Sequence, residues 1–348
     1  MDDAQRRDAD RAGRHVEAEH PVLGRAVIGD RGLAADRKSG KPILVTGSHR
    51  SGSTWVGRML AAAHGVLYVH EPFSVSDPPG RGVCNVAFER WFTYVTRANE
   101  APYYRAFKDT VALKYNRLAA LRGARSRAAL ARVLAESRAW AACRRRGDRP
   151  LIKDPIALFS SEWLAERFDM HVVVVIRHPA AFVSSITRLG WRHPFTHFLE
   201  QPLMMRDVLA PFAHEIGDAG RQVPEFVDEA ALLWRVIHHA VARFRERHPE
   251  WTFVRHEDLS RAPLAEFQRL YEALGLAWST DVARVIEQYS GDANPGDTTA
   301  PVGSEETLQR ASAHNVSNWR RRLSAAEVAR IRANVADVAS AFYSDAEW

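Results

Sequence analysis

Ile43-Leu44-Val45-Thr46-Gly47-Ser48-His49-Arg50-Ser51-Gly52-Ser53-Thr54-Trp55-Val56 holds, in immediate succession, a strand, a phosphate-sized loop and a helix start. Ile43, Leu44 and Val45 form the short apolar run of a strand buried on both faces, and the residues from Gly47 to Gly52 are small or polar. Val56, Met59, Leu60 and Ala63 then recur at i, i+3, i+4 and i+7, one apolar helical stripe. A loop between a strand end and a helix start aims several backbone N–H groups and the positive end of the helix dipole at one anion. Gly47 and Gly52 keep the Walker A glycine spacing, with Ser53-Thr54 where Lys-Ser/Thr would complete it. The lysine is absent, and Arg50 inside the loop is the replacement cation. An ordinary strand, turn and helix with two turn glycines is the plainer alternative.

Moving outward, the same pattern repeats. Val66-Leu67-Tyr68-Val69 reads as a second strand ending at His70-Glu71-Pro72, and Leu151-Ile152-Lys153-Asp154-Pro155 as a third that Pro155 stops. Four valines and Ile176 at 172–176 give the strongest signal of a buried parallel strand, followed by Arg177-His178-Pro179 with Pro179 placed to open a helix. Trp251-Thr252-Phe253-Val254 is a further strand. Asp77 to Gly82 reads as a loop, and helical patterns fill much of 86–146, where Leu130, Val133, Leu134 and Ala141 are the expected buried face. Further helical patterns occupy 204–217 and 226–247, then Leu264 to Leu274, ended by Gly275, and last about 325–342. Alternating strands and helices imply a parallel sheet with right-handed crossovers. The expected fold is therefore α/β, a P-loop-like three-layer αβα sandwich with a central parallel sheet flanked by helices. Ligands of such sheets gather beyond the carboxyl ends of the strands, and Arg50, Glu71, Lys153 and Arg177 all follow predicted strands directly.

The chain has 348 residues, 46% hydrophobic and 26% charged, enough for one large core. Residues 1–40 are charged and poor in aromatics, so a disordered tail is expected there, with a single α/β domain over 41–348. No apolar run approaches the ~20 residues of a membrane span, and the charged start does not suit a signal peptide, so a cytoplasmic protein is expected. Cys84 and Cys143 have no metal-ligand spacing and read as free thiols. A net charge of +6 suits anionic ligands.

A Mg²⁺-dependent P-loop kinase would want its Walker lysine and an aspartate closing an apolar strand. Here the strand 172–176 ends in Arg177, which repels Mg²⁺ and attracts a second phosphate. That points to a nucleotide with phosphates at two separate positions, bound without metal. Basic nucleic-acid binding through the Arg-rich stretch 122–146 is another reading. Against it, cations stand at strand exits as well as on helices, and Arg125, Arg132 and Arg138 are spaced by apolar residues suited to burial.

Arg50-Ser51-Gly52-Ser53-Thr54-Trp55 resembles the 5′-phosphosulfate loop of sulfotransferases that use 3′-phosphoadenosine 5′-phosphosulfate (PAPS), and Arg177 with Ser185 resembles their 3′-phosphate motif. Arg255-His256-Glu257-Asp258-Leu259, followed by Leu270 to Leu276, and Asn318-Trp319-Arg320-Arg321-Arg322-Leu323 are similar to later segments of the same enzymes. Together with His70-Glu71-Pro72, the loop looks closer to the carbohydrate sulfotransferases than to the small-phenol branch. The resemblance covers roughly 42–335. It implies PAPS as cosubstrate and a hydroxyl-bearing acceptor, with a sugar, glycolipid or glycopeptide among the candidates and nucleic acid not among them. It implies that Arg50 binds the transferring group, that Ser51, Gly52, Ser53 and Thr54 hold the 5′-phosphate, and that Arg177 and Ser185 hold the 3′-phosphate. Trp55 lies near the adenine or packs only against the core. Glu71 is the expected base with His70 its competitor, and Lys153 either stabilises charge on the reacting oxygens or pairs with Asp154. No clear Arg-Lys-Gly segment precedes Trp319, which leaves Arg310 and Arg320 to Arg322 as candidates for a C-terminal phosphate contact.

Overall fold

The computed structural model describes residues 40–75, 83–291, 294 and 312–348. Five parallel strands form one sheet in the order β2-β3-β1-β4-β5, with β1 Ile43–Gly47, β2 Val66–His70, β3 Arg149–Lys153, β4 His171–Ile176 and β5 Thr252–Arg255. The pairing aligns the strand exits: Gly47 faces Val175, His70 faces Lys153, and Ile176 faces Arg255. All five predicted strands are present. Successive side chains leave opposite faces of a strand, so β1 sends Leu44 into one helical layer and Ile43 and Val45 into the other. The first layer includes Phe182 and Trp234; the second includes Val56, Met59 and Leu60 of the helix Ser53–Leu60, packed with Phe267, Leu270 and Tyr271. A P-loop-like αβα sandwich results.

Three expectations fail for physical reasons. Residues 86–100 are irregular rather than helical, because Phe92, Thr93, Tyr94 and Val95 are all buried, a run that one helix face cannot accommodate. Their backbone is satisfied by distant side chains: Trp91 N donates to His197 Nδ1 (3.1 Å), Tyr94 N to Gln201 Oε1 (2.8 Å) and Val95 N to Ser160 Oγ (2.9 Å). The helical stretch 204–217 is broken around Pro211, whose missing N–H interrupts the ladder, into Pro202–Asp207, a 3₁₀ turn Ala210–Phe212 and Ala213–Arg221. In the helix Arg127–Arg146, Val133, Trp140 and Cys143 are buried, whereas Leu130, Leu134 and Ala141 are exposed, as are Arg125, Arg132 and Arg138. Of the expected tail only Gly40 is described; the rest of it and the expected loop 77–82 lie outside the described residues.

Sheet and loop meet most closely at Gly47, where φ is 144° and an added Cβ would lie 2.3 Å from the Val175 carbonyl oxygen. Backbone cannot yield as a flexible side chain can. Gly47→Ala is expected to destabilise the protein by about 3 kcal/mol in chemical denaturation. A loss under about 1 kcal/mol would contradict so close an approach of β1 and β4.

Candidate active site

The loop leaving β1 turns sharply at two left-handed positions, Arg50 at φ 64° and Gly52 at φ 95°. Gly52 is also sterically required, since a Cβ there would meet His256 Nδ1 at 2.5 Å. Gly52 is the N-cap of Ser53–Leu60, and no side chain caps that helix. Ser53 and Thr54 therefore do not act as caps, and the first-turn N–H groups lack a side-chain acceptor. Ser48 Oγ and Ser51 Oγ are buried and have no hydrogen-bond partner among the described residues. Polar atoms left unpaired in a buried loop are costly, and they mark a place built to receive acceptors. This cradle suits the oxygens of a bound phosphate or phosphosulfate.

The expected cations and hydroxyls converge beside it. Arg50 Nε donates to Ser185 Oγ (3.1 Å), and Arg177 Nη1 donates to the Arg50 carbonyl (2.5 Å). Ser185 is buried in the helix Pro179–Leu189, which Pro179 opens as its sequence position predicted. Trp55 packs into the core, edge-on to Phe267 (5.1 Å) and close to His256 (5.7 Å).

Lys153 pairs with Glu71 rather than with its neighbour Asp154. The Lys153 side chain has no exposed surface, and it passes under the helix Ser53–Leu60 at Gly57, where a Cβ would meet its Cγ at 3.0 Å. Burial by itself would lower the pKa of this ammonium; the Glu71 carboxylate, with Tyr68 and Asp154, reverses that and holds it above the ordinary value. Asp154 instead accepts from Phe73 N (2.6 Å) and Ile156 N (3.1 Å), and burial together with the Glu71 charge pushes its carboxyl up. Glu71 itself sits at φ 36°, its N–H bonded to the Lys153 carbonyl (2.9 Å). Non-glycine residues held at positive φ gather at functional sites, and Arg50 and Glu71 are two of the five among the described residues. His70 Nε2 lies 3.9 Å from Glu71 Oε2.

Several site residues had no predicted role. His49 stands among the rings of Trp91, Phe92, Phe182 and Trp191, with centroids 5.3–6.5 Å away, and burial with the adjacent Arg50 lowers its pKa to about 3. His178 Nδ1 caps its helix by accepting from Ala180 N (3.2 Å), and its ring stacks on Trp319 at 5.0 Å. Glu257 joins two strand exits, accepting from His178 N (3.0 Å) and from the Tyr343 hydroxyl (2.9 Å). Placement of His178 directly after Arg177 and of Glu257 two residues after β5 was the available sequence signal. Arg320 donates to the Glu347 and Trp348 carbonyls, Arg321 to Asn318 Oδ1, and Arg310 lies outside the described residues. A cavity of about 1170 Å³ between the helices Ala213–Arg221 and Ala325–Ala339 is lined by residues remote in sequence from the phosphate loop, and its charges already pair internally, as in Arg235 with Asp337 (2.7 Å).

A glycine-bearing loop at the exit of the central strand of an αβα sandwich, with cations and a carboxylate beside it, is the arrangement of a P-loop-like fold. The sulfotransferase family profile matches residues 42–280, and the chain belongs to that family. Similar solved structures include the sulfotransferase domain from the curacin biosynthetic pathway, at 15% identity over 85% of this chain and 98% of that one, TM-score 0.43. Mouse sulfotransferase SULT7A1 complexed with PAP is 8% identical over 90% and 88% of the two chains, TM-score 0.45. Sulfotransferase STF1 from Mycobacterium tuberculosis is 17% identical over 79% and 76%, TM-score 0.37. No curated protein matches the sequence. No helix among the described residues is long and apolar enough to cross a membrane.

The Lys153–Glu71 pair has a stability signature. Because the folded pKa of Lys153 is raised, the pair's contribution is fully present below the unfolded lysine value of about 10.4 and is lost as pH rises through the folded one. Glu71→Gln leaves the buried ammonium without its carboxylate and is expected to cost about 3 kcal/mol near neutral pH. The gap from wild type should narrow in alkaline solution as the variant's Lys153 sheds its proton. Denaturation curves at neutral and alkaline pH measure it; equal stability at neutral pH would mean that Asp154 satisfies the lysine instead.

Proposed function

We propose that this sulfotransferase moves the sulfuryl group of PAPS to an acceptor hydroxyl, with a sugar hydroxyl as the favoured acceptor, by metal-free in-line displacement with Glu71 as base. The observation that carries the reading is the uncapped first turn of Ser53–Leu60 beneath a loop whose Ser51 Oγ is buried and unpartnered, next to linked Arg50, Ser185 and Arg177. PAPS, when bound, supplies the activated sulfuryl group together with phosphates at two positions. Ser51, Gly52, Ser53 and Thr54 offer backbone and hydroxyl donors to the 5′-phosphate, with Trp55 fixing that turn from the core side. Arg177 and Ser185 hold the 3′-phosphate, the guanidinium through paired N–H donors. Arg50 binds the transferring group, where charge spreads over the equatorial oxygens and fixed cations do most of the work.

The ion pair with Lys153 holds the Glu71 carboxylate at the strand exit, where it takes the acceptor proton. Once it does, Glu71 is neutral, and the Lys153 ammonium turns its charge to the oxygen left behind by the transferred group. Half-buried Trp91 and Trp191, beside the polar exits of β2 and β3, suit a hydroxyl carried on a sugar-like body, which presents C–H faces to indoles and hydroxyls to polar groups.

Calorimetry should find 3′-phosphoadenosine 5′-phosphate (PAP) bound much more tightly than AMP or ATP. Arg177→Ala should weaken PAP binding by about 2–4 kcal/mol and Ser185→Ala by about 1 kcal/mol. Equal affinity for AMP, or an absolute need for Mg²⁺, would sink the assignment. Mass spectrometry of an acceptor panel incubated with PAPS, read for the added sulfuryl mass, identifies the acceptor.

Glu71→Gln, assayed where the variant is folded and PAP affinity is retained, should lower kcat by about 10² to 10⁴ and remove the acidic limb of the pH profile. If His70→Ala abolishes turnover at unchanged PAP affinity while Glu71→Gln stays active, the base is His70.

A further inference from the structure

Residues 117–146 form a helical hairpin of unusual charge. It contains nine arginines and one glutamate, a surplus of eight in a chain whose net charge is +6, so the rest of the protein is slightly negative. The single acid, Glu136, accepts from the Tyr115 hydroxyl (2.9 Å). Both helices are preformed by side-chain caps, Asn116 accepting from Ala119 N and Ser126 from Ala129 N, and the longer is anchored by Val133, Trp140 and Cys143. Its opposite face reads Arg127, Leu130, Leu134, Arg138, Ala141 and Arg145, spaced by three or four residues and exposed throughout. Among the described residues only five large hydrophobic side chains are exposed, and three of them lie here: Leu118 (68%), Leu130 (40%) and Leu134 (38%). Arg127, Arg138 and Arg145 form no ion pair among the described residues.

We propose that this hairpin seats the protein on an anionic phospholipid surface. Arginine guanidinium groups match lipid phosphates in geometry and charge, and leucines between them enter the boundary of headgroup and acyl chain. The phosphate backbone of a nucleic acid satisfies the arginines but has no use for the leucines. Charge concentrated in the hairpin while the remaining surface is slightly acidic also orients the protein, since only one side is attracted.

Flotation of the full chain with phosphatidylcholine vesicles, with and without phosphatidylglycerol, tests this. Binding is expected only to the anionic vesicles and should weaken with salt. Leu130→Ser with Leu134→Ser should lower vesicle partition about tenfold, and neutralising Arg127, Arg138 and Arg145 to Gln about a hundredfold. PAP affinity of both variants should match wild type, which shows that they are folded. No binding to anionic vesicles at low salt overturns the proposal. So does a leucine variant that binds as well as wild type, and so does tighter binding to duplex DNA than to vesicles, which would make the hairpin a polyanion surface.

Discussion

A lysine side chain with no exposed surface must find a carboxylate, and much of the site follows from how Lys153 finds Glu71. The pair joins the exits of β2 and β3 through side chains, while the Glu71 N–H to Lys153 carbonyl bond continues the same ladder through the backbone. To lie there, Lys153 runs beneath the helix that begins at the phosphate loop, which is why that helix tolerates Gly57 in its interior, despite the propensity cost of a mid-helix glycine. Asp154 is released to bind the Phe73 and Ile156 N–H groups, which fixes the turns after β2 and β3. One buried charge thus sets the spacing between the phosphate loop and the acid expected to meet the acceptor.

A second constraint acts across the sheet. Arg50 and Arg177 carry like charges within one small region and are linked there, Arg50 Nε donating to the Ser185 hydroxyl and Arg177 Nη1 to the Arg50 carbonyl. On the proposed function, an anion entering the cradle would be attracted by both cations and by the helix N-terminus at once. Geometry that is set before binding is what makes such electrostatic stabilisation effective.

The strands and their exits were legible because buried parallel strands read as continuous apolar runs, and the residues that follow them are polar by contrast. Arg50, Glu71, Lys153 and Arg177 could therefore be picked out singly. Which of them touch was not legible: Lys153 has an acid next to it in sequence and pairs with one 82 positions away, a choice made by side-chain direction on the two strands. Residues 86–100 were misread because their backbone partners are His197, Gln201 and Ser160, and no local pattern can announce a distant acceptor. The helix Arg127–Arg146 was misread for the opposite reason. Its local signal is doubled, with Leu130, Leu134 and Ala141 at helical spacing on one face and Val133, Trp140 and Cys143 on another, and periodicity alone does not say which face meets the core.

The end of the chain supplies a part of the site that motif spacing leaves unexplained. Arg177 must be aimed, and the residue after it is packed by sequence far downstream: the His178 ring lies on Trp319, edge-on to Tyr343 and Trp348, and the His178 backbone N–H donates to Glu257. The Arg177 carbonyl accepts from the Trp234 indole (2.9 Å), so the backbone on both sides of this arginine is pinned by separate elements. Arg320 closes the arrangement by holding the last two carbonyls, of Glu347 and Trp348, over the same ring cluster. Residues beyond the family profile's limit at 280 are therefore part of what fixes the β4 exit, and the resemblance around Trp319 has a structural cause: an indole is needed to cover the imidazole that caps the helix carrying Ser185.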